Sequence, residues 1–334
     1  MGVGRRWFLR AMLVTAFAAF VLFIVWHRSA LLKPTGSQAI AFRPITADAA
    51  EIEALQPFTL SRAWRLEGDP AVVAGLSGLD ILPDGRLLAL GDRGSRIVIA
   101  LPGSGKPHKV GLSATDPARL TEIGDTETVT VDPATATSWS AMETDNRIVR
   151  YAADGSRSGD TEPAAMAHWP ENVGSEAMTR LPDGRFLVLG EVRDKGVDRT
   201  FPALLFPRDP LSGAEPVMAH LQMPGDYKPV GLANLPDGRV LVLGRVLRFP
   251  MRFRNLIAIA DPRDIRAAGL WRAEPVAEII GGALSDNYEG IATAPFTNED
   301  GAERLRVWLV SDDNQQRILQ STKLLELEVD PARL

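Results

Sequence analysis

The chain has no cysteine, which excludes disulfide staples, thiolate nucleophiles and Cys-ligated metals. Histidine is scarce. The four present, His27, His108, His168 and His220, all fall outside the positions that the sequence repeats. Ser175 therefore has no histidine near it in the repeat plan, which argues against a Ser-His-Asp triad. Ser77, between Leu76 and Gly78, does not complete a Gly-x-Ser-x-Gly elbow. Gly103-Ser-Gly-Lys106 lacks the spacing of a phosphate loop and runs into Pro107, so it reads as a surface turn. Basic runs are missing beyond the N-terminus and the net charge is −5, so nothing points to a nucleic-acid partner.

Long apolar runs are missing too, with one exception. Ala11 to Trp26 is apolar or small throughout, apart from Thr15, and follows Arg5-Arg-Trp-Phe-Leu-Arg10. Paired arginines before such a run have the layout of a twin-arginine export signal. The run is about 16 residues, short of the ~20 that span a bilayer comfortably. Ala39-Ile-Ala41 has the form of a cleavage site but lies far downstream. Residues 1–33 are thus expected to be a removed signal or an uncleaved transmembrane anchor. The positive flank places the remainder outside the cytoplasm, in the periplasm or held at the inner membrane. A polar, Ala/Pro-rich linker is expected over 34–56 and one domain over 57–334. At 45% hydrophobic and 24% charged, the chain can bury the core of one large all-β domain.

What the sequence has is a repeat. Ser77-Gly-Leu-Asp-Ile-Leu-Pro-Asp-Gly-Arg-Leu-Leu-Ala-Leu-Gly-Asp92 reads as strand, turn, strand. Glu176 to Glu191 and Val230 to Arg245 repeat it, and looser copies start at Glu127 and Glu289. The period is roughly 50 residues, the range of propeller blades. Third strands are expected at Arg96–Leu101, Arg147–Tyr151, Phe201–Phe206 and Asn255–Ala260, and a fourth at Val217–Gln222. The expected fold is all-β: a propeller of five or six four-stranded blades, with Phe58–Leu66 closing the ring as outer strand of the last blade. The alternative is a sandwich with coincidental Pro-Asp-Gly hairpins.

The acids fall in register. The first strands start at Ser77, Glu127, Glu176, Val230 and Glu289; the second strands end at Asp92-Arg93, Glu143, Glu191, Arg245 and Asp312-Asp313. These positions adjoin in an antiparallel hairpin, so they are expected to converge on one end of the central channel. Crowded carboxylates repel and raise one another's pKa unless arginines or a cation offset them. Oxygen-only donors favour a hard ion, calcium before magnesium. Glu127, Glu176, Glu289, Asp312, Asp313 and Asp92 are the expected metal ligands. Glu143, Glu191, Arg93 and Arg245 are the expected catalytic groups, the arginines steadying an anionic substrate. The bland reading is that these acids merely cap turns or pair with arginine.

Ser77-Gly-Leu79, Asp92-Arg-Gly94, Asp125-Thr-Glu127, Glu143, Asn172-Val-Gly-Ser-Glu176, Tyr288-Glu-Gly290 and Ser311-Asp-Asp-Asn314 resemble the exported family described as esterase-like activity of phytase, over about residues 57–330. The resemblance implies a phytase-like β-propeller and an ester or phosphoester hydrolase. By analogy with calcium-dependent phytase propellers, it implies a calcium cluster at the channel mouth that polarises phosphate and activates water. Here the ring is mainly acidic, which departs from the cation-rich phosphate sites of those enzymes. The expected partner is a small anionic ester or phosphoester, the expected state a monomer. The alternatives are a non-catalytic binding or scaffold propeller of the cell envelope and a lactonase-like propeller.

Overall fold

The same short turn builds three of the inner hairpins. In Leu82-Pro-Asp-Gly-Arg86, the Gly85 amide donates to the Leu82 carbonyl and the Leu82 amide to the Arg86 carbonyl, each at 2.8 Å. Asp84 accepts from the Arg86 amide at 3.1 Å and from its Nε at 2.8 Å. Leu181–Arg185 and Leu235–Arg239 repeat this pattern. The three turn glycines have φ of 81°, 89° and 87°, where a Cβ would be strained.

The structure is a computed structural model that describes residues 3–31, 39–92, 94–112, 126–170, 173–193, 199–249, 252–314 and 320–334. Helix α1 spans Val3–Leu31. Strands β1 (Ile40–Pro44) and β2 (Thr59–Gly68) precede the first blade, which is β3 (Leu76–Ile81), β4 (Leu87–Gly91), β5 (Ser95–Ile99) and β6 (Lys109–Leu112). Blade two is β7 (Thr126–Val131), β8 (Ser138–Met142), β9 (Arg147–Tyr151) and β10 (Arg157–Thr161). Blade three is β11 (Ser175–Arg180), β12 (Phe186–Gly190), β13 (Thr200–Phe206) and β14 (Val217–Gln222). Blade four is β15 (Lys228–Asn234), β16 (Val240–Arg248), β17 (Arg252–Ala260) and, after the short β18 (Leu270–Arg272), β19 (Glu274–Ile280). Blade five is β20 (Asn287–Thr297), β21 (Glu303–Asp312) and β22 (Lys323–Val329), completed by β2.

The innermost strands β3, β7, β11, β15 and β20 each pack against the next, and β20 packs against β3, so the ring closes with five blades. The second strands of blades one and three, β4 and β12, are apolar throughout because they are buried on both faces. Leu87 and Ala89 join the core between blades five and one, while Leu88 and Leu90 face that between blades one and two. Three further apolar clusters fill the remaining blade interfaces.

Three sequence expectations need correcting, while the four-stranded blades stand, with β18 added to β14 in parallel and β1 added to β2. Six blades are not supported. The segment read as a linker holds β1 and a helix at Ala49–Ala54; Ile40 and Leu55 belong to the core. The expected transmembrane anchor is also not supported. The described side chains of α1 are exposed, and among the described residues no helix is long and apolar enough to cross a membrane.

Candidate functional site

One irregularity recurs in every blade. The β3–β4 pairing jumps from Leu76 opposite Gly91 to Gly78 opposite Leu90, leaving Ser77 without a cross-strand partner. The same jump skips Glu127, Glu176, Val230 and Glu289 in their own hairpins. A β-bulge kinks the strand and re-aims the extra residue, and bulges are common at barrel rims and active sites. The acidic register read from the sequence is therefore a ring of bulges at one channel mouth.

Glu143, Glu176, Glu191, Glu289, Asp312 and Asp313 are all buried there, none more than 8% exposed. Burying that many carboxylates demands compensation. Arg245 supplies much of it. Its Nη2 donates to Glu191 Oε1 at 3.0 Å, and its Nη1 donates to Glu289 Oε1 and, at 3.1 Å, to Asn287 Oδ1. Asn287 Nδ2 extends the network to Glu289 Oε1 at 2.9 Å and Asp312 Oδ2 at 3.3 Å. Lys228 Nζ lies 3.3 Å from Glu191 Oε1. Asp313 Oδ1 accepts the Gly75 amide at 3.1 Å. The Asp92 carboxylate abuts Gly75 so closely that a Cβ there would come within 2.7 Å of its oxygens.

The electrostatics follow from this crowding. Burial, reinforced by Glu191, Glu143 and Glu289, pushes the Glu176 carboxyl well above the ordinary range, although Arg245 pulls it back. Burial also pushes Asp312 well up, with Glu289, Asp92 and Asp313 adding to it against the Asn314 amide. Burial disfavours the Arg245 charge, but Glu289, Glu191 and Glu176 outweigh that and raise its pKa.

A cavity of about 470 Å³ opens beside this network. Glu191 and Arg245 form its inner wall, and Arg193, Lys228 and Asp226 carry its other charges.

The structure thus assembles Glu143, Glu176, Glu191, Arg245, Glu289, Asp312, Asp313 and Asp92 at one mouth. Glu127 occupies the equivalent bulge of blade two and is less buried than the other glutamates. Arg93, Asp125 and Asn172 lie outside the described residues. Arg245, read from the sequence as a substrate clamp, is the hub of the carboxylate network. Sequence reasoning missed Asn287 and Lys228. Both stand two residues before the bulge, the register that holds Gly75 in blade one and Gly174 in blade three. That register was the available signal.

The calcium expectation can be tested on the same geometry. The donors are all oxygens, which suits a hard ion. Among the described residues, however, no group of three or more His, Asp or Glu side chains is placed to hold a metal ion. The Arg245 guanidinium already stands between Glu191 and Glu289.

The family profile described as Phytase-like, esterase-like activity of phytase, matches residues 71–315. The chain belongs to the Phytase-like family. No curated protein matches its sequence significantly. Solved structures similar to this Phytase-like chain are distant. The nidogen/laminin complex has 11% identity and a TM-score of 0.43, with coverage of 85% of this chain and 95% of that one. A putative oxidoreductase (glucose dehydrogenase) from Thermus thermophilus has 14% identity and a TM-score of 0.43, covering 76% and 98%. AofleA from Arthrobotrys oligospora has 10% identity and a TM-score of 0.39, covering 72% and 81%.

Proposed function

We propose that this Phytase-like propeller is a hydrolase of small anionic esters or phosphoesters, working at the acidic channel mouth. The observation that carries the reading is Glu176, a carboxyl buried among Glu143, Glu191, Glu289 and Arg245, where burial and the acidic neighbours push its pKa well above the ordinary carboxylate range. A carboxylic acid that keeps its proton can deliver it to a leaving alkoxide, and an ionised neighbour can take one from water. In this scheme Glu143 removes a proton from water, whose oxygen attacks the ester centre. The bond to the leaving oxygen breaks, and that oxygen takes the Glu176 proton. Arg245 offsets the negative charge of the attacked group. Membership of a family described as esterase-like supports the same reaction class.

No step here runs through a metal. Calcium binding is a separate proposal resting on the excess of oxygen donors, since a cation at the mouth would offset carboxylate charge that Arg245 alone leaves unbalanced. Export is likewise a proposal, resting on Arg5-Arg6 and the apolar run that follows.

The test is a screen of phosphomonoester and carboxyl-ester substrates, with calcium and with chelator. Turnover is expected, and Glu176→Gln is expected to lower kcat by about 100-fold or more with little change in melting temperature. A wild-type protein that turns over no ester, or a Glu176→Gln variant with full activity, refutes the reading in favour of a binding propeller. Calorimetric titration with calcium settles the metal on its own: heat that vanishes in Asp312→Asn supports a site at the mouth.

A further inference from the structure

The β16–β17 hairpin is longer than its counterparts in blades one to three. Each of its strands has nine residues, against five in β4, β8 and β12. Its ladder continues past the mouth, from Arg245 opposite Asn255 to Arg248 opposite Arg252. The extension forms a second wall of the cavity beside Glu191, made of Val246, Leu247 and Phe253. Leu247 is 51% exposed and the adjacent Phe249 98% exposed. Large apolar side chains left in water at the rim of a polar cavity mark a surface that something apolar covers.

The charges of the cavity set what travels with that apolar group. Arg193, Lys228 and Arg245 face Glu191 and Asp226, three cations against two carboxylates. Lys228 and Arg245 both lean on Glu191. One positive charge is in excess, and behind it lies the buried acidic network of Glu176 and Glu289. A single negative charge is matched at this entrance, whereas a polyanion meets repulsion from the carboxylates behind it. At about 470 Å³ the cavity falls within the roughly 300–1,000 Å³ of sites that enclose small organic ligands.

We propose that this cavity selects an amphiphilic ester with one negative charge, its anionic head near Arg193 and Lys228 and its apolar body on Val246, Leu247 and Phe253. Turnover of such a molecule rests on the hydrolase reading above; its binding does not.

The probes are 1-naphthyl methylphosphonate, methyl methylphosphonate and myo-inositol hexakisphosphate. The first two share a monoanionic ester head and differ in the apolar body; the third is a polyanion without one. Binding to the full chain is followed by naphthyl fluorescence and competition. The naphthyl ester is expected to bind at least about tenfold more tightly than the methyl ester, since burying part of an aromatic ring is worth more than ~1.4 kcal/mol. Leu247→Ser and Phe253→Ser are each expected to weaken the naphthyl ester several-fold and leave the methyl ester unchanged. Leu247 is exposed, so its variant keeps the wild-type melting temperature and remains informative if Phe253→Ser fails to fold. Equal affinity for the two monoanions, an unchanged naphthyl affinity in Leu247→Ser, or stronger binding of the hexakisphosphate each overturns the proposal. Tight naphthyl binding without hydrolysis keeps the pocket preference and removes the hydrolase reading.

Discussion

Asp80 shows how one side chain joins neighbouring blades. It sits near the end of β3 remote from the acidic mouth, and its Oδ2 accepts the Val131 amide of blade two at 2.6 Å while Oδ1 accepts the Ile81 amide at 2.7 Å. Thr130, at the equivalent register of blade two, reaches the Arg180 amide of blade three in the same way at 2.9 Å. Burial pushes the Asp80 carboxyl from 3.8 up to about 6, and the two amides restrain the shift. A carboxyl with a raised pKa binds its proton more tightly folded than unfolded. Its contribution is therefore fully present below about pH 4 and is lost as pH rises through about 6. The loss is up to about 3 kcal/mol at 1.36 kcal/mol per pH unit. Asp80→Asn removes this dependence. Urea unfolding at pH 4 and pH 7 should show a smaller difference between the two pH values for the variant than for the wild type; equal differences would rule the assignment out.

At the scale of the element, the bulge explains why glycine follows it in three blades. Gly78, Gly231 and Gly290 come immediately after the skipped residues Ser77, Val230 and Glu289. They lie where one inner strand presses on the next. A Cβ on Gly231 would come within 2.5 Å of the Glu289 carbonyl oxygen and 2.9 Å of Ile291 Cγ2. The carbonyl belongs to backbone and cannot swing aside. Gly231→Ala should therefore cost about 1–3 kcal/mol, read as a lower melting temperature, and should weaken the mouth by shifting Glu289. By contrast, Gly238→Ala has open space around its Cβ and pays only for φ of 87°. The hairpins of blades one, three and four were legible in the sequence because Pro-Asp-Gly fixes its turn locally and an apolar run follows it at Leu87–Leu90, Phe186–Leu189 and Val240–Leu243. The acidic mouth was legible because Glu recurs in one register. Asn287 and Lys228 were not, since each appears once at a register that holds glycine in blades one and three. Strand β18 was hidden for another reason. Its three residues join β14 only through tertiary pairing, His220 opposite Leu270 to Gln222 opposite Arg272, and three residues are too few to show a period.

The ring as a whole is closed by the start of the chain meeting its end. β2 pairs with β22 from Thr59 opposite Glu328 to Arg65 opposite Lys323, and β1 then covers β2. Ile40, Trp64 and Leu66 enter the core between blades five and one, and Ala63 enters that between blades four and five. Burying Trp64 and Leu66 alone contributes roughly 3–6 kcal/mol, comparable with the whole stability of a typical domain, about 5–15 kcal/mol. Without β2, β22 would become a long exposed edge whose unpaired amides invite pairing with another chain. The described side chains of the N-terminal helix are exposed and none of them belongs to the buried core. Two truncations separate these parts. A chain lacking residues 1–38 should melt in one cooperative transition at the wild-type temperature. A chain lacking residues 1–68 should lose that transition and aggregate, because blade five then lacks its outer strands and the first interface lacks Trp64 and Leu66. If the shorter chain stayed monomeric with an unchanged melting curve, the closure would carry no weight in the fold, and the alignment of Glu289 and Asp312 with blade one would need another cause.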